Sequence, residues 1–408
     1  MKSYDAMVIG AGPAGATAAL TLARAGWSVA IVEKASFPRR KVCGEFISAT
    51  SFPLLRELGL ADTFLVQAGP PVSRVGLYAG NTMLAADMPR PRHGADAYGR
   101  ALGREHFDAL MLSAAAGSGA VVWQPWTLTE LTQAADGYTG TAVAQDKRET
   151  VRLQARIVVA AHGSWEPGRL PTQITGGPPC GADLFAFKAH FLNCGLPAAL
   201  MPLLVFPGGY GGMVHSDGGR VSLSCCIRRD YLVRCRRRWP AGKAADAVIA
   251  HIRAACRGVD LALDGATRDA TWLSAGPLRP GIRAFRSDGI FTVGNAAGEA
   301  HPIVAEGISM AIQSSWLLCE RLIAHQDDVL SGRGTAALAG DYAASWRRNF
   351  ARRVRAAAAF AHLATRPAAT GVIAALLERV PAMLTLGAYL SGKTRSLRML
   401  QNSDRGHA

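Results

Sequence analysis

Short apolar runs separated by glycine turns dominate the start of the chain. Ala6-Met7-Val8-Ile9 is continuously apolar and stops at Gly10, which predicts a short buried strand. The Ala- and Leu-rich stretch from Ala14 to Ala25 predicts a helix, and Gly26 follows it where a left-handed residue meets no steric penalty. Val29-Ala30-Ile31-Val32 predicts a second buried strand, closed by Glu33. Strand, turn, helix and strand in this order make one βαβ unit on a parallel sheet.

Further along, Phe52 to Leu60 and Arg104 to Ala115 predict helices. Val121-Val122-Trp123 and Ile157-Val158-Val159-Ala160 predict strands that return to the first sheet. Between positions 183 and 228 the pattern changes to short runs punctuated by glycine, such as Leu184 to Phe191, Leu203 to Phe206, Gly212 to His215 and Val221 to Ile227. That spacing predicts a second, mostly antiparallel sheet. Phe291-Thr292-Val293 leads through Gly294 to a long helix from Gly307 to Ala324, and the chain after Gly332 is expected to be helical to its end.

Composition narrows the class. With 49% hydrophobic and 18% charged residues among 408, the chain can build a large core and is neither disordered nor of low complexity. Lys and Arg number 45 against 30 Asp and Glu, a net charge of +15, and only seven of the 45 are Lys. Two arginine clusters stand out: Arg234, Arg236, Arg237 and Arg238 beside Trp239, and Arg347, Arg348, Arg352, Arg353 and Arg355. On the second, Tyr342, Trp346, Phe350 and Val354 form an apolar stripe at helical spacing. No recognition motif accompanies the charge, so nucleic acid is not an expected partner. A solvated helix face is the default reading of these clusters, and an acidic carrier protein or an anionic membrane surface is the sharper alternative. The eight cysteines are scattered without metal-ligand spacing, so no metal is expected and a reducing, cytoplasmic setting is the simplest reading. The opening residues lack a signal-peptide layout. The apolar stretch from Gly371 to Leu390 is interrupted by Glu378, Arg379 and Pro381, which suits peripheral membrane contact and not a spanning helix.

Chemistry enters with Gly10-Ala11-Gly12-Pro13-Ala14-Gly15, a G-x-G-x-x-G between a predicted strand and a predicted helix. Gly10 permits the turn, Gly12 lets backbone approach a pyrophosphate, and Gly15 lets the helix pack on the sheet. The helix start offers unpaired N–H groups to phosphate. Glu33, at the end of the next strand, can accept hydrogen bonds from both ribose hydroxyls. A second strand, glycine loop and helix start follows at Gly294-Asn295-Ala296-Ala297-Gly298-Glu299, with His301-Pro302 and Glu306-Gly307-Ile308 behind it. Two such helix starts on one long ligand suit FAD, the second facing the flavin edge where negative charge grows on reduction.

In combination these segments resemble the flavoprotein superfamily of aromatic-ring hydroxylases, geranylgeranyl reductases and flavin-dependent halogenases. Gly10 to Gly15 with Glu33 is one match. Phe37-Pro38-Arg39-Arg40-Lys41-Val42-Cys43-Gly44 is similar to the segment after the second strand in the reductases and halogenases. Arg104 to Leu110 is similar to a helix whose first Arg lies near FAD, and Gly294 to Ile308 resembles the G-D-A-A-G…P…G motif, with Asn295 in place of Asp. The D-G motif of the hydroxylases stands here as Ala161-His162-Gly163-Ser164, with His162 at the Asp position.

The resemblance implies an α/β fold. Its Rossmann-like FAD-binding domain with a parallel sheet covers 1–65, 100–170 and 280–330. A mostly antiparallel-sheet substrate domain over 66–99 and 171–279 is interleaved with it, and a C-terminal helical region covers 331–408. The implied cofactor residues are Gly10, Gly12, Pro13, Ala14, Gly15, Glu33, Lys34, Arg40, Lys41, Cys43, Arg104, Gly294, Asn295, Pro302, Gly307 and Ile308. Cys43, Tyr210, His301 and Glu306 are the candidate catalytic groups, and His215 is a further polar group expected to face flavin or substrate. The first functional expectation is a monooxygenase that hydroxylates an apolar aromatic or polyketide-like molecule through a flavin hydroperoxide. The alternatives are a geranylgeranyl-reductase-like enzyme acting on lipid double bonds, a halogenase, or a flavoprotein without catalysis. Halogenation is disfavoured because W-x-W-x-I-P is missing and no Lys occurs between positions 42 and 146. Electrons are expected from NAD(P)H, directly or through a separate flavin reductase, and the loss of Asp at position 162 argues for the second route.

Overall fold

The computed structural model describes residues 1–89, 98–163, 168–173, 177–366, 371 and 375–393. Ser164 and residues 394–408, the end of the expected terminal helix, lie outside them.

Two sheets organise the described residues. In the first, Val121–Trp123, Val29–Val32, Lys2–Ile9 and the second half of Thr150–Ala160 run parallel, and Ile290–Thr292 joins parallel to that half. The first half of Thr150–Ala160 pairs antiparallel with Gly137–Ala144, which forms a hairpin with Trp126–Ala134. The sequence pattern did not predict this hairpin. Only Leu128 of Trp126–Ala134 is buried, so the strand shows almost none of the apolar alternation that marks a half-buried one. The helix Pro13–Arg24 is buried from Pro13 to Leu22, begins with Pro in its first turn, and is followed by Gly26 at φ +85°.

The second sheet runs in the order Thr267–Arg268, Leu184–Leu192, Val221–Arg228, Gly209–His215, Leu200–Phe206, Arg74–Ala79 and Thr82–Asp87, with Leu273–Leu278 also on Leu184–Leu192. It is antiparallel except where Leu200–Phe206 meets Arg74–Ala79. Three helices, Arg229–Arg238, Ala244–Ala255 and Arg257–Ala262, follow the fourth of these strands in chain order after Leu184. Their buried members, among them Cys235, Val248, Ile252 and Val259, join the core on one face of the sheet.

The helix Thr335–Ala364 spans the two sheets. Tyr342, Trp346, Phe350 and Val354 enter the core of the first sheet, and Ala361 and Ala364 enter a core against the second. The helix Gly307–Ala324 packs on Pro13–Arg24, so the two glycine turns start neighbouring helices.

Candidate functional site

The first turn is built from two close approaches. Gly10 sits at φ +97°, and a Cβ there would lie 2.8 Å from the Ala161 carbonyl oxygen. A Cβ on Gly15 would lie 1.8 Å from the Gly10 carbonyl oxygen, so only glycine lets the helix start over the turn. Gly12 differs: its φ is −70°, and a Cβ would meet nothing nearer than Arg104 Nη2 at 3.6 Å. Neither strain nor packing inside the chain demands glycine at position 12. Its missing side chain leaves room on the cavity side.

Glu33 is buried at the rim of this turn. Its carboxylate accepts hydrogen bonds from the backbone N–H groups of Ala11 at 2.8 Å and Ala35 at 2.9 Å. The second turn rests on the first, because a Cβ on Gly294, at φ +58°, would be 2.9 Å from Ala14 Cβ. Ser314 Oγ accepts from the Gly294 N–H at 2.8 Å.

Both turns open into one cavity of about 770 Å³. Every residue expected to touch cofactor lines it except Gly15, whose role is helix packing. Tyr210, His301 and Cys43 line it as well, and Cys43 stands beside Arg104. Basic groups crowd the end nearest Glu33. Burial pushes the Lys41 ammonium down to about 8, with the Arg104 and Arg39 charges adding to the effect. Arg104 makes a two-pronged pair with Asp108 at 2.7 Å, which together with the nearby Cys43 outweighs its burial and raises its pKa. Arg39 reaches Asp108 at 3.5 Å and Glu33 at 3.7 Å. Arg40 Nε is buried with no hydrogen-bond partner among the described residues, and Arg39 Nε has only the 3.7 Å ion pair with Glu33.

Beyond the turns the cavity becomes an apolar chamber. Its walls include Leu77, Leu203 and Val205 of the second sheet, and its roof includes Leu363, Leu377 and Leu384 of the C-terminal helices. Polar groups are few in it, and two of them meet: the Tyr210 hydroxyl lies 3.3 Å from His301 Nδ1 and is also beside the Cys226 thiol. Burial lowers the His301 pKa and raises that of Tyr210 well above its ordinary value.

Two expected groups are corrected. Glu306 does not line the cavity. It is fully buried, 3.2 Å from Lys393 Nζ and 3.6 Å from Arg353 Nη1, and accepts from Ser48 Oγ at 3.2 Å. Its charge therefore braces the helix start at Gly307 against the C-terminal helices. His215 points elsewhere, with Nε2 at 2.7 Å from the Leu196 carbonyl oxygen. His162 lines the cavity 2.8 Å from Thr172 Oγ1, and burial pushes its pKa down to about 4, so it is uncharged at neutral pH.

Sequence reasoning missed a buried ionic group next to Cys43. Glu45, at φ +64° and fully buried, accepts from Lys188 Nζ, from His190 Nε2 at 2.7 Å and from the Arg104 N–H at 3.1 Å. Arg40 Nη2 meets the other ring nitrogen of His190 at 2.8 Å. The available signal was a Lys and a His inside Leu184-Phe185-Ala186-Phe187-Lys188-Ala189-His190-Phe191-Leu192, an otherwise apolar strand.

These features coincide with a family match. The FAD binding domain family matches residues 3–358. The chain belongs to that family. It is 26% identical over 403 residues to the menaquinone reductase of Mycolicibacterium smegmatis, covering 95% of this chain and 91% of the reductase. It is 27% identical over 342 residues to conditioned medium factor receptor 1 of Dictyostelium discoideum, covering 78% of this chain but only 63% of the receptor. Among solved structures, the flavin-dependent brominase Bmp2 superposes with a TM-score of 0.75 at 18% identity, over 96% of this chain and 94% of the brominase. That likeness shows the fold.

Membership implies FAD, and the residues present fit it. Gly12 with its open side, Arg39 and Arg40 all line the cavity, and Arg40 Nε is buried there without a hydrogen-bond partner among the described residues, a donor that a diphosphate oxygen would satisfy.

Proposed function

We propose that the protein holds FAD at the glycine-turn end of the cavity and reduces a carbon–carbon double bond of a long apolar substrate in the chamber. Gly10, Gly12, Pro13, Ala14 and Glu33 would hold the adenosine and pyrophosphate side. Lys34, Arg39, Arg40, Lys41 and Arg104 would surround that side with positive charge. Gly294, Asn295, Pro302, Gly307 and Ile308 would face the flavin edge.

The observation that carries this reading is the Tyr210–His301 pair, a proton-bearing couple among the mainly apolar side chains of the chamber. Reducing an alkene takes an electron pair with its hydrogen at one carbon and a proton at the other. Bound FAD, once reduced by an electron donor such as NAD(P)H or a flavin reductase, would supply the electron pair and hydrogen. The chain supplies the proton. Tyr210 stays protonated because burial raises its pKa, and His301 at 3.3 Å can relay a proton to the phenolate from Nδ1 while its other ring nitrogen takes one up from water. The apolar chamber walls keep bulk water away from the reacting carbons. The end-to-end similarity to the menaquinone reductase supports the same choice. Hydroxylation, the first expectation from sequence, does not call for a paired proton donor at the carbon that is attacked.

The test is a single turnover. The enzyme is reduced with dithionite without oxygen and mixed with geranylgeraniol as a polyprenyl probe. Reduction of a double bond predicts that the flavin reoxidises and the product gains two hydrogens. A product that forms only when oxygen is admitted, and carries one of its atoms, overturns the reading in favour of hydroxylation.

A further inference from the structure

Seven of the thirteen most exposed large apolar side chains among the described residues fall between Leu363 and Leu390. The helix Ala382–Leu390 accounts for several and is apolar on both faces. Its inner face buries Leu384 and Ala388 in the core and lines the chamber with Gly387. Its outer face leaves Leu386, Tyr389 and Leu390 at 52%, 49% and 55% exposure. Thr385 Oγ1 donates to the Asp87 carbonyl oxygen at 2.8 Å and holds this helix on the edge of the second sheet. Leu363 and Met383 line the chamber and are also 43% and 39% exposed. The roof of the chamber and the apolar surface patch are thus one layer of side chains. A contiguous apolar patch on a chain's surface marks an interaction site.

Charge says what covers it. Arg366 and Arg379, in the same stretch of sequence as the patch, are both exposed. The one carboxylate in this stretch, Glu378, accepts a hydrogen bond of 2.7 Å from Thr82. This nine-residue helix is packed on the protein by one face, so its apolar outer face with Arg366 and Arg379 nearby in sequence presents the chemistry that an anionic lipid interface covers. No helix among the described residues is long and apolar enough to cross a membrane.

We propose that this face docks on an anionic lipid surface, with Leu386, Tyr389 and Leu390 in the interface and the chamber roof against the acyl layer. An apolar substrate then passes between lipid and chamber at Leu363 and Met383 without crossing water. The proposal does not depend on which reaction the flavin performs.

Co-sedimentation of the full-length holoprotein with extruded vesicles tests it. Binding is expected to phosphatidylglycerol–phosphatidylcholine vesicles at low salt, weaker binding at high salt, and little to phosphatidylcholine alone. The double variant Leu386→Glu/Leu390→Glu should lose about tenfold or more in partition, because two buried apolar contacts are replaced by charges of the lipid's own sign. Neither residue lines the chamber, and retained FAD content and melting temperature show that the variant is folded. Val66→Glu, at an exposed apolar site outside the patch, should bind like the parent. Three results overturn the proposal: no binding to anionic vesicles at low salt, equal binding by the double variant, or a dimer seen by light scattering that the double variant dissolves. The last assigns the face to a second copy of the chain.

Discussion

His190 Nε2 lies 2.7 Å from the carboxylate of Glu45 and ties the second sheet to the loop that carries Cys43. With Lys188 on the other carboxylate oxygen, this is a fully buried ionic group in the cavity wall.

Removing Glu45 leaves the Lys188 ammonium buried without its carboxylate, while among the described residues the His190 ring keeps only its contact with Arg40. Glu45→Ala should cost about 3–5 kcal/mol in unfolding free energy, more than a surface carboxylate by far. Chemical denaturation of the two proteins at neutral pH checks this, and a loss under 1 kcal/mol would show that water reaches Lys188.

The same carboxylate sets an acid limit. Burial pushes its pKa up, but the His190 hydrogen bond and the charges of Lys188 and His190 outweigh this and hold it at about 2, against 4.5 for an ordinary Glu. A depressed carboxyl contributes its stabilisation in full above the unfolded value. That contribution is lost as pH falls from about 4.5 toward about 2. Denaturation midpoints for the parent should therefore fall through this window, and those for Glu45→Gln should fall less.

The proton source predicts a specific kinetic pattern. Tyr210→Phe should lower turnover about a hundredfold while leaving FAD content unchanged. His301→Asn should act in the same direction, and the double variant should lose little more than the worse single one, because the two groups form one path. Unchanged turnover in Tyr210→Phe would remove the hydroxyl from the chemistry.

Much of the cofactor end was legible in the sequence, because a glycine turn is a local event. Gly10, Gly12 and Gly15 lie within one turn and one helix start, and Glu33 closes the next strand. The ionic group was not legible: Lys188 and His190 are 143 and 145 positions from Glu45, and only the pairing of domains brings them together. The stripe Tyr342, Trp346, Phe350 and Val354 was read as a packed face from its spacing, and all four are buried. Glu306 was misread because a carboxylate beside Pro302 and Gly307 looks like site chemistry in one dimension. Its partners Arg353 and Lys393 come from the helices that close the fold.

Electron supply follows from position 162. His162 is buried, uncharged at neutral pH and bonded to Thr172, where hydroxylases that this chain resembles carry an acid. NADPH alone should reduce the flavin more slowly than turnover supported by a separate flavin reductase. Anaerobic stopped-flow absorbance, with and without substrate, measures both rates, and rapid bleaching by NADPH alone would contradict this expectation.

The most direct test of the account is the flavin content of the purified protein beside two glycine variants. The account predicts one FAD per chain in the parent. Gly12→Val should fold with a melting temperature near the parent's and carry no FAD, because the added side chain meets no protein atom closely and enters the cavity instead. Gly15→Ala should fail earlier, as a folding defect, since its Cβ would sit 1.8 Å from the Gly10 carbonyl oxygen. Full FAD occupancy in a folded Gly12→Val protein would contradict the placement of the cofactor, and with it the claim that this turn opens the catalytic chamber.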